Sequence, residues 1–390
     1  MHICVVHNEY GRFSGEEAVV EFMERLLLSH GHRLSLFVRS SAEIPRMWLG
    51  EPRAFFSGIY SWSSKRAMRE LLARQRPDIV HVHNLYPLIS PSVLDACRMA
   101  GVPVVMTVHN YRLTCPNGLH MVRGKVCEEC LGGHEMRCVV NRCEGTVLKS
   151  LGYALRNVVA RKAALFRRNV TMYAVLTEFQ RGRLIDAGYP AERIAVVPNA
   201  VAANGSEENG PPGSYVGFVG RVSPEKNIPA LLFAAERLPE IPFKIAGSLD
   251  RMPWLRDAAP ANVEWLGHLD AKELNEFYRQ ARCIVLPSTC FEGFPTVLVE
   301  AMLHGKPVIC SRIGGLPEIV EENVTGLLVE PGDSENLRAK IGFAWEHPEL
   351  CAQWGGAGRA KSQREYTPSS YYDRLVAVYA AAARFGAGGV

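Results

Sequence analysis

The sequence predicts an α/β protein made of two doubly wound parallel-sheet domains, and three observations carry that expectation. The chain has 390 residues, more than one hydrophobic core of about 100–200 residues ordinarily spans. Short β-rich apolar runs alternate with longer amphipathic stretches in two successive series, which is the pattern of parallel βαβ units covered by helices on both faces. Between the two series lies a polar stretch rich in glycine and proline, residues 204–213, with almost no apolar side chain to bury.

In the first series, residues 2–7 read as a strand, 16–30 as a helix, 33–38 as a strand, 65–74 as a helix, 79–83 as a strand, 92–100 as a helix and 102–108 as a strand. The alternation breaks from 110 to about 145, where five cysteines fall, and resumes with a helix through 160 and strands near 172–176 and 194–197. In the second series the strands are 215–219, 243–246, 263–266, 283–287, 307–310 and 326–329, and the chain closes in helices at about 348–363 and 368–384. The domains are therefore expected at 1–200, with an insertion at 110–145, and at 214–366, joined by a linker at 201–213 and followed by a closing segment at 367–390. Doubly wound domains bind ligands outside the carboxyl ends of their strands, so two of them on a hinge suit small-molecule transfer across a cleft.

Lys+Arg 44 against Asp+Glu 40 leaves a net charge of +4, too diffuse a surplus to make nucleic acid the main partner. The N-terminus turns polar before a signal-peptide core could form, and no apolar run approaches the ~18 residues of a spanning helix. A soluble cytoplasmic protein is expected. Eleven cysteines, an odd number with five in one segment, fit a secreted disulfide framework poorly.

The motif richest in chemistry opens the second series. The strand at 215–219 runs through Gly217 and Gly220 into Arg221, and Ser223 and Pro224 have the residue types of a helix N-cap and first position. Arg221 and Lys226 would then sit beside a helix N-terminus, where free amides, dipole and two cations suit a diphosphate. The alternative is two ordinary surface cations. A second motif, Glu292-Gly293-Phe294-Pro295-Thr296-Val297-Leu298-Val299-Glu300-Ala301-Met302, follows the strand at 283–287. Pro295 suits a first helical turn, which leaves Glu292 in the loop and puts Glu300 on a helix apolar nearly all round. A buried carboxylate needs partners. Glu300 could accept both hydroxyls of a ribose, and the amides at 293–297 could meet sugar hydroxyls or phosphate oxygens.

These residues resemble the group 1, family 4 glycosyltransferases, retaining enzymes of the GT-B fold, whose two Rossmann-like domains face across a cleft. The resemblance continues through Val197-Pro198-Asn199-Ala200-Val201 and Gly314-Gly315-Leu316-Pro317-Glu318. It implies that Arg221 and Lys226, with Gly220, bind the donor diphosphate and stabilise the leaving group, that Glu300 holds the nucleotide ribose, and that Glu292 and the amides of Gly293, Phe294, Pro295 and Thr296 hold the donor sugar (proline, lacking an amide proton, by position alone). It further implies that His109 contacts that sugar and that the loop ending in Ser14-Gly15 approaches donor phosphates and acceptor. The family has two glycines there; Ser14 stands in place of the first. The closing helices are expected to cross back onto the first domain, and catalysis is expected to require no metal. The activity implied is a hexosyltransferase of class EC 2.4 that uses a nucleotide-diphosphate sugar and a glycan, lipid-linked or small-molecule acceptor, as in bacterial polysaccharide or lipopolysaccharide biosynthesis. A nucleotide-sugar epimerase or hydrolase, or a non-catalytic nucleotide-sugar-binding protein, could share the fold.

Two features lie outside that core. Cys115, Cys127, Cys130 and Cys143, with Cys138 as a substitute, have the ligand count of a structural zinc site; unbridged thiols are the other reading. This segment is expected to border the acceptor cleft. Between 149 and 168, Lys149, Arg156, Arg161, Lys162, Arg167 and Arg168 are interleaved with apolar residues. Such a basic amphipathic helix suits peripheral contact with an anionic membrane, or equally a core helix with a charged outer face.

Overall fold

Fourteen strands build the sheets of the computed structural model, which describes residues 1–11, 14–202 and 213–387. They are β1 (His2–Glu9), β2 (Arg33–Ser40), β3 (Ile79–Val82), β4 (Val104–Val108), β5 (Met121–Val122), β6 (Lys125–Val126), β7 (Met172–Val175), β8 (Ile194–Val196), β9 (Tyr215–Val219), β10 (Phe243–Ala246), β11 (Val263–Gly267), β12 (Ala281–Leu286), β13 (Val308–Ser311) and β14 (Gly326–Val329). Two six-stranded sheets have the orders β2-β1-β3-β4-β7-β8 and β11-β10-β9-β12-β13-β14, and every pairing within them is parallel. Strands such as β3, β4, β7, β13 and β14 are buried at every position. Their largely apolar runs, such as Val104-Val105-Met106-Thr107-Val108 in β4, are what a sheet with both faces covered requires. Most of the linker expected at 201–213, and Arg12 and Phe13 of the first loop, lie outside the described residues.

The chain divides into two compact units. The first comprises Met1–Gly118, Glu128–Pro198 and Tyr371–Val390; the second comprises Leu119–Cys127 and Asn199–Ser370. In the first unit the helix Gly15–Ser29 is capped by Ser14, whose hydroxyl accepts from the Glu17 amide. It buries Val19, Val20, Met23 and Leu27 along one stripe. The last helix, Pro368–Ala387, contributes Tyr371 against Phe22, Tyr372 stacked on His30, and the Tyr379 hydroxyl bonded to His81 Nδ1 at 2.7 Å.

Each sheet has one place where the strand order reverses direction, and its carboxyl side is where such sheets hold ligands. In the first sheet it lies between β1 and β3, and in the second between β9 and β12. The second order, renumbered within its own sheet, is the 3-2-1-4-5-6 of a dinucleotide-binding fold.

Candidate functional site

In the second unit, the loops after β9 and β12 carry the charged residues, at the two neighbouring strands where the order reverses. Gly220 directly follows β9 with φ +146°, and the neighbouring Gly247 lies so close that a Cβ on it would stand 2.0 Å from the Gly220 carbonyl oxygen. Only glycine lets these two backbone segments approach.

The segment after Gly220 departs from the expected helix. Ser223 makes no side-chain cap, Pro224–Lys226 form one 3-10 turn, and Asn227 takes a left-handed conformation before the helix Ile228–Glu236 begins. Lys226 therefore sits on a tight turn ahead of the helix, because the left-handed Asn227 separates the two. The turn directs Lys226 Nζ to Glu292 Oε1 at 2.7 Å, and both side chains are nearly buried, 12% and 13% exposed. The Ser288 hydroxyl donates to the same oxygen at 2.5 Å. Burial pushes the Glu292 carboxyl up, but the Lys226 charge, the bonds from Lys226 and Ser288, and the Arg221 charge outweigh it, leaving Glu292 below the ordinary carboxylate value.

Arg221 is the opposite case. Its side chain is 62% exposed and, among the described residues, pairs with Glu225 alone, at 3.4 Å, so the guanidinium is available to an anion. Glu300 lies on the helix Thr296–Leu303, with Oε2 accepting from the Tyr278 hydroxyl at 2.7 Å. Pro295 occupies the N-cap of that helix, and Phe294 is buried with its ring edge-on to Tyr366.

In the first unit, His109 follows β4 and shares a hydrogen bond with His83, Nε2 to Nδ1 at 2.8 Å. The two rings stand beside Glu16, Asn84 and Arg112 around a recess of about 30 Å³. Tyr10 donates its hydroxyl to Glu16 at 2.7 Å, and Arg112 donates to Tyr10 and to Asn84, each at 3.3 Å. Burial lowers the pKa of His109, with Glu16 opposing and His7 reinforcing the shift. Gly15 has open space where a Cβ would be, so at this loop it is Ser14, by capping the helix, that has the evident local task.

Two family patterns divide the chain at the same place as the two strand series: the one described as Glycosyltransferase Family 4 matches residues 13–204, and the one described as Glycosyl transferases group 1 matches residues 205–361. The chain belongs to the group 1 glycosyltransferases. An uncharacterised glycosyltransferase of Methanocaldococcus jannaschii is 26% identical over 296 residues, 73% of this chain and 69% of that one. Among solved structures, the sucrose-phosphate synthase of Thermosynechococcus elongatus superposes with a TM-score of 0.73 at 17% identity, over 97% of this chain and 98% of that one. HepE of Anabaena, in complex with UDP and glucose, superposes with a TM-score of 0.69 at 18% identity, over 97% of this chain and 99% of that one. The glycosyltransferase thus has the GT-B fold that its motifs led one to expect.

The cysteine segment of this glycosyltransferase does not form the expected clamp. Among the described residues no group of three or more histidine, cysteine, aspartate or glutamate side chains could hold a metal ion. Cys115 donates to Asn117 Oδ1 at 3.0 Å. Cys127 follows the β5–β6 hairpin, which groups with the second unit, whereas Cys130 and Cys138 are buried in the first against Ala154 and Cys143. The hydrogen bond between Cys138 and Cys143, ahead of burial, raises the Cys138 pKa; the same bond lowers that of Cys143. The spacing supplied enough thiols, but the chain path puts Cys127 with the other unit and turns the Cys115 thiol to Asn117, while Cys143 stays beside Cys138. All eleven cysteines are unbridged.

The basic stretch is also two elements, the helices Val147–Lys162 and Leu165–Asn169, separated by a left-handed Ala164. Arg156 is buried between the rings of Tyr86 and Tyr153, Arg161 pairs with Glu135 at 2.5 Å, and Arg168 pairs with Asp95 at 2.9 Å. Of the six basic side chains only that of Arg156 is buried; Lys149, Arg161, Lys162, Arg167 and Arg168 are exposed. Among the described residues no helix is long and apolar enough to cross a membrane.

Sequence reasoning missed Tyr278, Ser288, Glu225 and His83. Tyr278 and Glu225 carried no motif signal. Ser288 stands four residues before Glu292, and His83 closes an apolar strand run whose histidines at 81 and 83 alternate with valines; both were open to a reading of polar residues at strand ends.

Proposed function

We propose that this glycosyltransferase moves a sugar from a nucleotide-diphosphate donor to a glycan, lipid-linked or small-molecule acceptor with retention of anomeric configuration. The observation that carries the reading is the buried Lys226–Glu292 pair at 2.7 Å, set with exposed Arg221 and half-buried Glu300 at the strand-order reversal of the second sheet. An ion pair of that depth costs desolvation that packing alone would not demand, and a diphosphate arriving beside it gains a cation already held in place. In HepE a UDP complex accompanies the same fold.

In this reading Arg221 and Lys226 neutralise the diphosphate as its bond to the anomeric carbon breaks. Glu300, oriented by Tyr278, accepts ribose hydroxyls. Glu292 and the amides of Gly293, Phe294 and Thr296 hold the sugar, Pro295 setting the turn, and His109 meets a sugar oxygen. The acceptor oxygen attacks on the face the phosphate leaves, and its proton passes to the departing phosphate oxygen. The loop at Ser14 and Gly15 borders the acceptor. Peripheral contact with an anionic membrane is supported by exposed Lys149 and Lys162, with exposed Trp48, Phe56 and Leu148 on the same unit; flotation with anionic vesicles, absent with neutral ones, tests it.

The main test incubates the purified chain with nucleotide-diphosphate sugars and candidate acceptors, and reads product linkage by proton NMR. Acceptor-dependent product with the donor's anomeric configuration supports the proposal. Donor conversion without acceptor, or an inverted product, contradicts it.

A further inference from the structure

Four histidines gather toward the carboxyl edge of the first sheet: His7 in β1, His81 in β3, His83 directly after it, and His109 directly after β4. His81 is fully engaged, through Nδ1 with the Tyr379 hydroxyl at 2.7 Å and through Nε2 with the Thr107 hydroxyl at 2.8 Å. His83 and His109 are near-parallel, with ring centroids 5.1 Å apart and planes at 24°, and are joined Nδ1 to Nε2 at 2.8 Å. His83 is 3% exposed, and its Nε2 has no hydrogen-bond partner among the described residues. His109 is only half-buried.

One proton lies between the two rings, and its position decides what His109 can do. If it belongs to His109, then His83 as a neutral ring must carry its own proton on Nε2, where it would be a buried N–H without an acceptor. If it belongs to His83 Nδ1, the unpaired atom is a bare lone pair. Orphaned buried N–H groups are the rarer and costlier of the two. Both rings are held neutral, His83 by burial and by the neighbouring His81, His109 and His7, and His109 by burial and His7 against the pull of Glu16.

We propose that His83 is a positioning residue: its Nδ1–H donates to His109 Nε2 and fixes His109 in the tautomer that carries its proton on Nδ1. His109 then offers a hydrogen bond from Nδ1 to an oxygen of the transferred sugar and does not act as a base toward it. This rests on the reading that His109 contacts the sugar.

Selective imidazole-15N labelling reads the tautomer directly, without substrate. The expected spectrum has His109 protonated on Nδ1 in the wild type and released from that tautomer in His83→Leu. His83→Leu should also lower kcat by about tenfold, the worth of one hydrogen bond, with little change in donor KM. His83→Asn, whose amide nitrogen can replace Nδ1–H, should recover most of that loss, and it supplies the tautomer comparison should the leucine variant fail to fold. His109 protonated on Nε2 in the wild type would overturn the proposal, as would a His83→Leu variant with unchanged tautomer and kcat. Wild-type turnover in His109→Ala would instead overturn the role of His109, and the spectrum would still decide the claim about His83.

Discussion

Replacing Lys226 by methionine should destabilise the second unit far more than removing both members of its ion pair. The side chains of Lys226 and Glu292 are 12% and 13% exposed and 2.7 Å apart. Without the ammonium, Glu292 keeps its Ser288 bond and the charge of exposed Arg221, but burial pushes its carboxyl upward with the strongest opposing influence gone. An uncompensated buried carboxylate costs about 3–5 kcal/mol, which for a unit of this size corresponds to a fall in Tm of about 6–20 °C. The double variant Lys226→Met with Glu292→Gln has no buried charge left, so it should regain most of that loss while glycosyl transfer stays abolished. Thermal unfolding, followed by the tryptophans Trp254, Trp265, Trp345 and Trp354 of the second unit, measures both, with Trp48 and Trp62 of the first as reference. The sign in pH is fixed as well. Glu292 has a depressed folded pKa, so its stabilising contribution is present above the ordinary value of 4.5 and is lost as pH falls through the folded value. The gap between wild type and Lys226→Met should therefore narrow as pH falls toward the carboxylate range. A Lys226→Met protein as stable as wild type, or a double variant as unstable as the single, would refute the reasoning.

Arg221→Ala removes a 62% exposed side chain with one long ion pair, so it should leave Tm nearly unchanged and yet lower kcat sharply; comparable losses in both would contradict its assignment to the donor. Tyr278→Phe deletes the 2.7 Å bond that orients Glu300, and initial rates should show donor KM raised about fivefold with kcat little changed. The pKa values of His7, His81, His83 and His109 are all lowered chiefly by burial, that of His81 to about 3. Bases depressed in this way stabilise the fold above the unfolded value of 6.5 and cease to do so as pH falls toward the folded values, so urea midpoints of the first unit should drop from pH 7 to pH 5; a rise would overturn the buried-neutral assignment. Tyr379→Phe leaves His81 Nδ1 without its partner and should cost about 1–3 kcal/mol, with faster amide exchange in the last helix as the readout.

The strands were the most legible part of the fold. A parallel strand covered on both faces needs a short run of β-branched and aliphatic residues, and β9, β10 and β14 begin and end where those runs do. The 3-10 segment Ser41–Arg46 and the helix Gly50–Ile59 were not legible, because Gly50, Pro45 and Pro52 read as breakers and Trp48 and Phe56 point to solvent instead of completing an apolar stripe. At the site, residue types and loop placement could be read, but partners could not. Lys226 and Glu292 are 66 residues apart and Tyr278 and Glu300 22 apart, and only the β9–β12 neighbourhood brings the first pair together. The cysteines illustrate the converse: spacing counts ligands without fixing the chain path that aims them.

We propose that the turn after β9 and the helix Thr296–Leu303 after β12 grip a nucleotide diphosphate through Lys226 and Glu300. Calorimetric titration of the purified glycosyltransferase with a series of nucleoside diphosphates tests it most directly. One-site binding of at least one of them is expected, weakened tenfold or more, about 1.4 kcal/mol or above, by Glu300→Gln and by the stable double variant Lys226→Met with Glu292→Gln. Undiminished binding in both variants, or no binding by any nucleoside diphosphate, would contradict it.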